Sequence, residues 1–406
     1  MKNKHREKLD EGKVKLISFI SFLLGFSQSL LVYVISAYFK DASGTENVGP
    51  FYFLAHVVVL VGLLNMHNFI KKLGKARAFL LFFFAQISMV ALLTSVTPSF
   101  LGIALLILYI IAADLVFVML DIMLEEYSED SCSGRIRGMH LMVINAGFLL
   151  GPLISTRILE KFGFGGLFFV VLLLNMIVFV AGIIGLSKSG KKFTQKLTLR
   201  DLFGKILVNP DMMRIYAVAF ALEFFFALMV VYTPLYLLDL GYGWERIGII
   251  FTAMLLPFVV LQYPVGIIAD KWWGEKELIA GGLSIMALTT AGIYFMGLSS
   301  IGGWALLLLG TRIGAAVVEA LRDSYFYKKI DARDVDFIAF FRTARPVAYV
   351  CATALSALVL LVFPLKAMFL FVAAVVALSL IPALGMRDSS SERERALAAV
   401  SAKDSL

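Results

Sequence analysis

Apolar residues fill this chain in some twelve stretches, each about long enough to cross a bilayer, with short polar breaks between them. The first six centre on Leu23, Val59, Gln86, Tyr109, Leu149 and Asn175. The second six centre on Phe226, Val259, Ala287, Ile313, Val350 and Ala373. A hydrocarbon core of ~30 Å takes about 20 apolar residues of helix. The pattern therefore predicts an all-α membrane protein with twelve transmembrane helices. Composition agrees: hydrophobic residues make up 60% of 406 positions and charged residues 16%, far too little charge for a soluble surface of this size.

The second six stretches echo the first. At a shift of roughly 199 residues, Val32-Tyr33 and Tyr38 meet Val231-Tyr232 and Tyr236. Asp41 with Gly49 meets Asp239 with Gly248, and Gly74 with Lys75 meets Gly274 with Glu275. This predicts two pseudo-symmetric six-helix bundles, residues 1–186 and 214–388. A linker, 187–213, joins them, and a polar tail, 389–406, follows. In the linker Leu199, Leu202, Phe203, Ile206 and Leu207 recur at helical spacing. They read either as an amphipathic helix on the membrane surface or as a helix packed on protein.

Charge sets the orientation. With both termini placed inside, 28 of the 37 Lys and Arg residues fall in inner segments and five in outer loops. Basic residues are retained on the cytoplasmic side, so the net charge of +8 is a topology signal. It is spread over seven segments and forms no nucleic-acid face. The N-terminal stretch reads as a first span without a small-residue cleavage site. Trp244 and Trp304 fall at expected outer ends and Trp272 and Trp273 at an inner end, as suits indoles at membrane interfaces. The implied location is the inner (plasma) membrane, multi-pass, with cytoplasmic termini.

Three motifs carry a family resemblance. The 8–9 loop reads Gly266-Ile-Ile-Ala-Asp270-Lys271-Trp-Trp-Gly274-Glu275-Lys276, with one extra residue before its second glycine. Span 5 reads Gly147-Phe-Leu-Leu-Gly151-Pro152-Leu-Ile-Ser155, and span 10 contains Arg312-Ile-Gly314-Ala-Ala. With six spans, a basic linker and six more, the chain resembles the major facilitator superfamily, and its span 5 is similar to that of the family's antiporters. In the 2–3 loop the signature glycine is His67 and the signature aspartate is Lys71. The resemblance implies a transporter with its substrate site between the halves near the midplane. It also implies gating roles for Asp270 and for Gly147, Gly151 and Pro152.

Ionisable residues at membrane depth are functional candidates by default. Desolvation disfavours an ionised carboxylate, which makes Asp114 in span 4 and Glu223 in span 7 candidates for proton coupling. The alternative for each is a structural ion pair. Arg312, mid-span in span 10, offers a planar fork for an anionic substrate or for a carboxylate such as Asp114. Arg342 and Arg345 share one face of span 11, for substrate and gating or for packing, and Arg345-Pro346 should bend that helix. Tyr33, Tyr232, Tyr236 and Gln28 are candidate cavity-lining residues. His56 and His140 read more readily as hydrogen-bonded structural histidines than as titrating switches.

No cofactor is expected, since four histidines and two cysteines form no metal set and no phosphate-binding loop is present. The expected partners are a small-molecule substrate, protons and the lipid bilayer, with no nucleic acid, and the chain is expected to be a monomer. The sequence supports a proton-coupled exporter working by alternating access. Two alternatives stay open: an uptake symporter for an anionic solute, or a membrane binding or sensory protein. On the inner side Asp270 is expected near Arg322, as a clamp. Lys71 is its repeat partner and faces Asp121 with reversed sign. Lys71→Asp should therefore impair function, and Lys71→Asp with Asp121→Lys should restore part of it. Equal loss in single and double variants would exclude the pairing.

Overall fold

The computed structural model describes residues 11–127, 133–186, 210–297, 300–329 and 341–387. All regular structure among them is helical, with no strand. Among the described residues ten helices are long and apolar enough to cross a membrane. Backbone amides in hydrocarbon have only one another to bond, and a helix bonds them within a single segment. The chain forms two compact units, Met1–Gln195 and Lys196–Leu406. The expected linker helix lies almost wholly outside the described residues.

In the first unit α1 (Glu11–Val32) and α2 (Ile35–Ser43) form one apolar run broken at Tyr33 and Val34. Next come α3 (Gly49–Leu64), α4 (Met66–Leu73), α5 (Lys75–Leu93) and α6 (Phe100–Tyr127). With 16 residues, α3 spans ~24 Å, and α4 continues it beyond Asn65. The last helix, α7 (Ser133–Leu186), runs for 54 residues but breaks at Gly163, whose φ is 65° and ψ −170°. That backbone is open to glycine and strained for other residues.

Packing of α1 on α7 explains the glycines of span 5. A β-carbon on Gly147 would stand 2.9 Å from the Phe22 carbonyl oxygen, and one on Gly151 would stand 1.9 Å from Ser29 Oγ. Small residues let helices approach where no hydrophobic force drives them together. Close by, Ser27 Oγ donates to Asn175 Oδ1 at 2.8 Å, both buried. Ile20, Leu24, Phe79, Phe83, Val116, Met119 and Val178 form the apolar core of this unit. Phe84, Leu101, Leu108 and Ile184 stay exposed, as suits side chains facing lipid.

The second unit contains α8 (Pro210–Asp239), α9 (Trp244–Val260), α10 (Gln262–Ile268) and a π-helical turn (Ala269–Trp273). It continues with α11 (Glu275–Phe295), α12 (Ile301–Lys329), α13 (Ala344–Val362), α14 (Ala367–Leu378) and α15 (Leu380–Gly385). The helices α11 and α12 meet at a glycine pair, where a β-carbon on Gly314 would fall 2.4 Å from the Gly282 carbonyl oxygen. Glu275, fully buried in the first turn of α11, accepts from Ser324 Oγ at 3.0 Å and from Lys328, both on α12. A carboxylate also suits a helix N-terminus.

Two of the residue pairs matched at the shift of roughly 199 share local geometry. Gly74 (φ 80°, ψ 158°) and Gly274 (φ 77°, ψ 167°) have nearly the same conformation, and each immediately precedes a helix. Gly74 N–H reaches back four residues to Ile70 O, while Gly274 N–H reaches back five to Ala269 O. The extra residue of the 8–9 loop is thus absorbed as a single π-turn. Tyr38 and Tyr236 also correspond: the first hydroxyl donates to Thr97 O at 3.1 Å, the second to Met296 O at 3.4 Å.

One expectation needs correction. Trp304 is no interface anchor, being fully buried with its ring 5.9 Å from that of Tyr236. Near Pro346 the helix is interrupted: Phe341 and Arg342 are helical, Thr343 is a turn, and α13 resumes at Ala344 with the proline in its first turn, as suits a residue with no N–H for the Arg342 carbonyl.

Gly151→Ala should lower the thermal unfolding midpoint, with a cost of about 1–3 kcal/mol from overpacking against Ser29. Gly281→Ala, where a β-carbon meets nothing within 4 Å, should leave the midpoint unchanged or raise it. Equal shifts in the two variants would exclude close approach as the reason for Gly151.

Candidate functional site

Asp114 lies on α6 between Ala113 and Leu115 and faces α3, where His56 brings Nε2 to 3.7 Å from Asp114 Oδ2. The histidine side chain is 7% exposed and the aspartate 19%. Tyr52 and His56 stand four residues apart and so share one face of α3. The imidazole Nδ1 lies 2.7 Å from the Tyr52 carbonyl oxygen, and the two rings stack with centroids 6.4 Å apart. Behind them Tyr109 is almost wholly buried.

The other candidates of the first unit are distributed as follows. Tyr33 is buried at the α1–α2 break, and Gln28 is half-buried on α1. Lys71 is exposed near the end of α4. Asp121 belongs to α6, and its side chain lies outside the described residues, so its relation to Lys71 is not described. Pro152 lies within α7, and its carbonyl accepts from Ser155 Oγ at 3.2 Å and Thr156 Oγ1 at 2.8 Å.

In the second unit Glu223 on α8 and Arg322 on α12 form an ion pair, with Nη2 and Oε1 2.8 Å apart and both side chains about one-tenth exposed. Arg322 Nη1 also donates to Ala219 O at 3.5 Å. Ala219 and Glu223 are four residues apart, so the guanidinium docks along one turn of α8. Asp323 Oδ1 lies 3.4 Å from Arg322 Nε. One turn from Arg322 on the same helix, Glu319 Oε2 accepts from Gln262 Nε2 of α10 at 2.9 Å. Two turns further up α12, the guanidinium of buried Arg312 lies over Phe225 and Phe226, 5.0 and 5.6 Å from the ring centroids. Such stacking suits the weakly hydrated guanidinium.

The tyrosine candidates of this unit are tied into its packing. Tyr232, fully buried, donates to Ser356 Oγ at 2.9 Å. Tyr236 lies between Trp304 and Phe369. Arg342 is half-buried, while Arg345 is exposed and lies over the Tyr349 ring at 5.7 Å. Asp270 belongs to the π-turn with its side chain outside the described residues. The Arg322 contacts described here run to Glu223, Ala219 and Asp323. Among the described residues no three His, Cys, Asp or Glu side chains stand close enough to share a metal ion.

Sequence reasoning picked out His56, Asp114 and Glu223 as lying within spans and placed Arg322 on the inner side, but missed two pairings, His56 with Asp114 and Arg322 with Glu223. Their partners lie 58 and 99 residues apart, beyond any local spacing rule. The usable signal was that each charge at membrane depth calls for a partner at the same depth.

A search of curated proteins finds no match. Among solved structures the chain is similar to the POT family transporter PepTSo in its in meso crystal structure. The TM-score is 0.73 at 12% identity, over 92% of this chain and 97% of that one. At that identity the likeness concerns the fold alone. A family model for the Major Facilitator Superfamily matches residues 17–332. The motifs, the helical fold and this match agree, and the chain belongs to the Major Facilitator Superfamily: it is a membrane transporter, not an enzyme.

Proposed function

We propose that the protein is a proton-coupled secondary transporter that exports a small solute by alternating access. The observation that carries this reading is a partly buried carboxylate at membrane depth in each unit, Asp114 beside His56 and Glu223 beside Arg322. In a secondary transporter the coupling ion must bind within the membrane, and a titratable side chain there is what a proton can bind. The span 5 motif, with Gly147 and Gly151 packed on α1, supports the antiporter direction by resemblance.

The proposed topology has twelve spans in two groups of six, with both termini on the cytoplasmic side of the plasma membrane. Ten apolar helices support it directly. Gly49–Leu64 extended by α4 supplies an eleventh, and division of α7 at Gly163 a twelfth. The basic residues of the inner segments support the orientation.

A second reading, uptake of an anionic solute with protons, draws on Arg312, buried at membrane depth with aromatic rings below its guanidinium.

A thermal-shift screen over a solute library identifies a ligand, since binding to the folded state raises the midpoint by mass action. That solute is then followed in vesicles under pH gradients of either sign. An outward solute flux driven by inward proton movement supports export, and co-directional flux supports uptake. No flux under any gradient would sink both transport readings. Asp114→Asn should reduce pH-driven movement at least tenfold while leaving non-driven exchange partly intact. Wild-type proton stoichiometry in that variant would make Asp114 structural and leave Glu223 as the coupling residue.

A further inference from the structure

We infer that Glu319 is the proton-binding carboxylate of the second unit, and that its proton decides whether Arg322 stays on Glu223. The inference rests on the proton-coupled reading above and refines it: Glu223 takes part through the arginine, and the proton sits on Glu319.

Three carboxylates stand around one guanidinium. Arg322 Nη2 lies 2.8 Å from Glu223 Oε1, and Arg322 Nε lies 3.4 Å from Asp323 Oδ1. Glu319 stands three residues before Arg322 on α12, so the two side chains share a face. It lies within the apolar stretch Ile301–Phe326 and is half-buried. Yet the guanidinium turns from it to α8, and Glu319 Oε2 accepts from Gln262 Nε2 of α10 at 2.9 Å. A cation in contact favours the ionised form of a carboxylate, and desolvation favours the neutral form. Glu223 has the cation, and Asp323 has it too, with a side chain that is 36% exposed. Glu319 has a neutral amide, which donates to a carboxylate and to the carbonyl oxygen of an acid alike. Of the three, it is the one on which a proton settles.

The proton comes from water and adds to Glu319, and no other bond changes. With that acid neutral, Arg322 is left to Glu223, and α8 is latched to α12. This is the arrangement described above. Return of the proton to water sets a second anion one turn from Arg322, at the Cβ spacing of ~5–6 Å where helical ion pairs form. The guanidinium is then divided between a carboxylate on α8 and one on its own helix, and the latch loosens. The proton thus acts on the α8–α12 seam from a residue outside the ion pair.

Glu223, Arg322, Asp323 and Arg345 act on Glu319 electrostatically. Arg345 belongs to α13, where it is exposed and lies over Tyr349. On α8, Asp211 and Arg214 pair with one another in the first turns. Facing α12 from α11 is Gly282, close to Gly314 and Val318, while Glu275 is held by Ser324 and Lys328. The charged residues of α9, Glu245 and Arg246, belong to its first turn, at the end away from α10. Besides Gln262, α10 carries Tyr263, which is exposed, as is Lys271 of the π-turn.

The full chain in lipid nanodiscs is followed by infrared difference spectroscopy between acidic and alkaline pH, where the proton is the probe and no solute is needed. We expect a carboxylic-acid band that disappears in Glu319→Gln. In Glu223→Gln the band should remain, with its titration midpoint lowered by about one pH unit or more, because Arg322 is released to Glu319. Should Glu319→Gln fail to fold, Glu319→Asp keeps an acid at the site and should move the band in frequency and midpoint. A band removed by Glu223→Gln and untouched by the Glu319 variants would place the proton on Glu223 and overturn the inference. So would the lack of any band that the Glu319 variants alter. An unchanged midpoint in Glu223→Gln would overturn the competition for Arg322. Failure of pH-driven solute movement in vesicles, beside an intact Glu319 band, would overturn the transport reading alone.

Discussion

Inside hydrocarbon a polar group has only other protein groups to bind, and most of this molecule follows from that. It makes the chain helical wherever it can be described. It places the breaks in those helices at residues suited to them: Gly74 and Gly274 between consecutive helices, and Gly163 within α7. It also brings charges together from distant parts of the sequence, His56 to Asp114 and Arg322 to Glu223. An ion pair at this depth adds little net stability over an apolar pair of the same shape, yet leaving one partner alone is costly. In the proposed transport cycle such pairs would hold one arrangement until a change in protonation releases them.

The features legible in sequence were those set by local order. Span positions follow from runs of apolar residues, and the repeat follows from the spacing of Tyr38, Gly74 and their partners. The extra residue before Gly274 was visible as a departure from a motif, although not that it forms a π-turn. Contacts decided by three-dimensional neighbours were not legible. His56 looked like an isolated histidine because Asp114 comes 58 residues later, and Glu223 stands 99 residues from Arg322. Trp304 lies near a helix end, which suggested an interface, yet the neighbouring helices cover it completely.

The two units show how a repeated backbone can be kept while its chemistry changes. Gly74 and Gly274 share their torsions, yet the next residue is Lys75 in one unit and Glu275 in the other, both buried. Glu275 is held by Ser324 and Lys328. A turn specified by glycine torsion is indifferent to the sign of the charge that follows it, so each half has been free to choose its own partners.

Gly163 bears on how this protein is made. A straight helix through 145–184 would be ~60 Å long, about twice the hydrocarbon thickness. The polar residues near this break, Arg157, Glu160 and Lys161, all precede it, and Phe164, Gly165, Gly166 and Leu167 follow. A ribosome feeding this segment into a membrane thus delivers a nearly continuous apolar run with one glycine torsion to mark the reversal. Adding a β-carbon at Gly163 meets nothing within 4 Å, so the constraint is torsional and not steric. In the proposed topology, the hairpin of spans 5 and 6 reverses at a residue whose φ of 65° is open to glycine and strained for other residues.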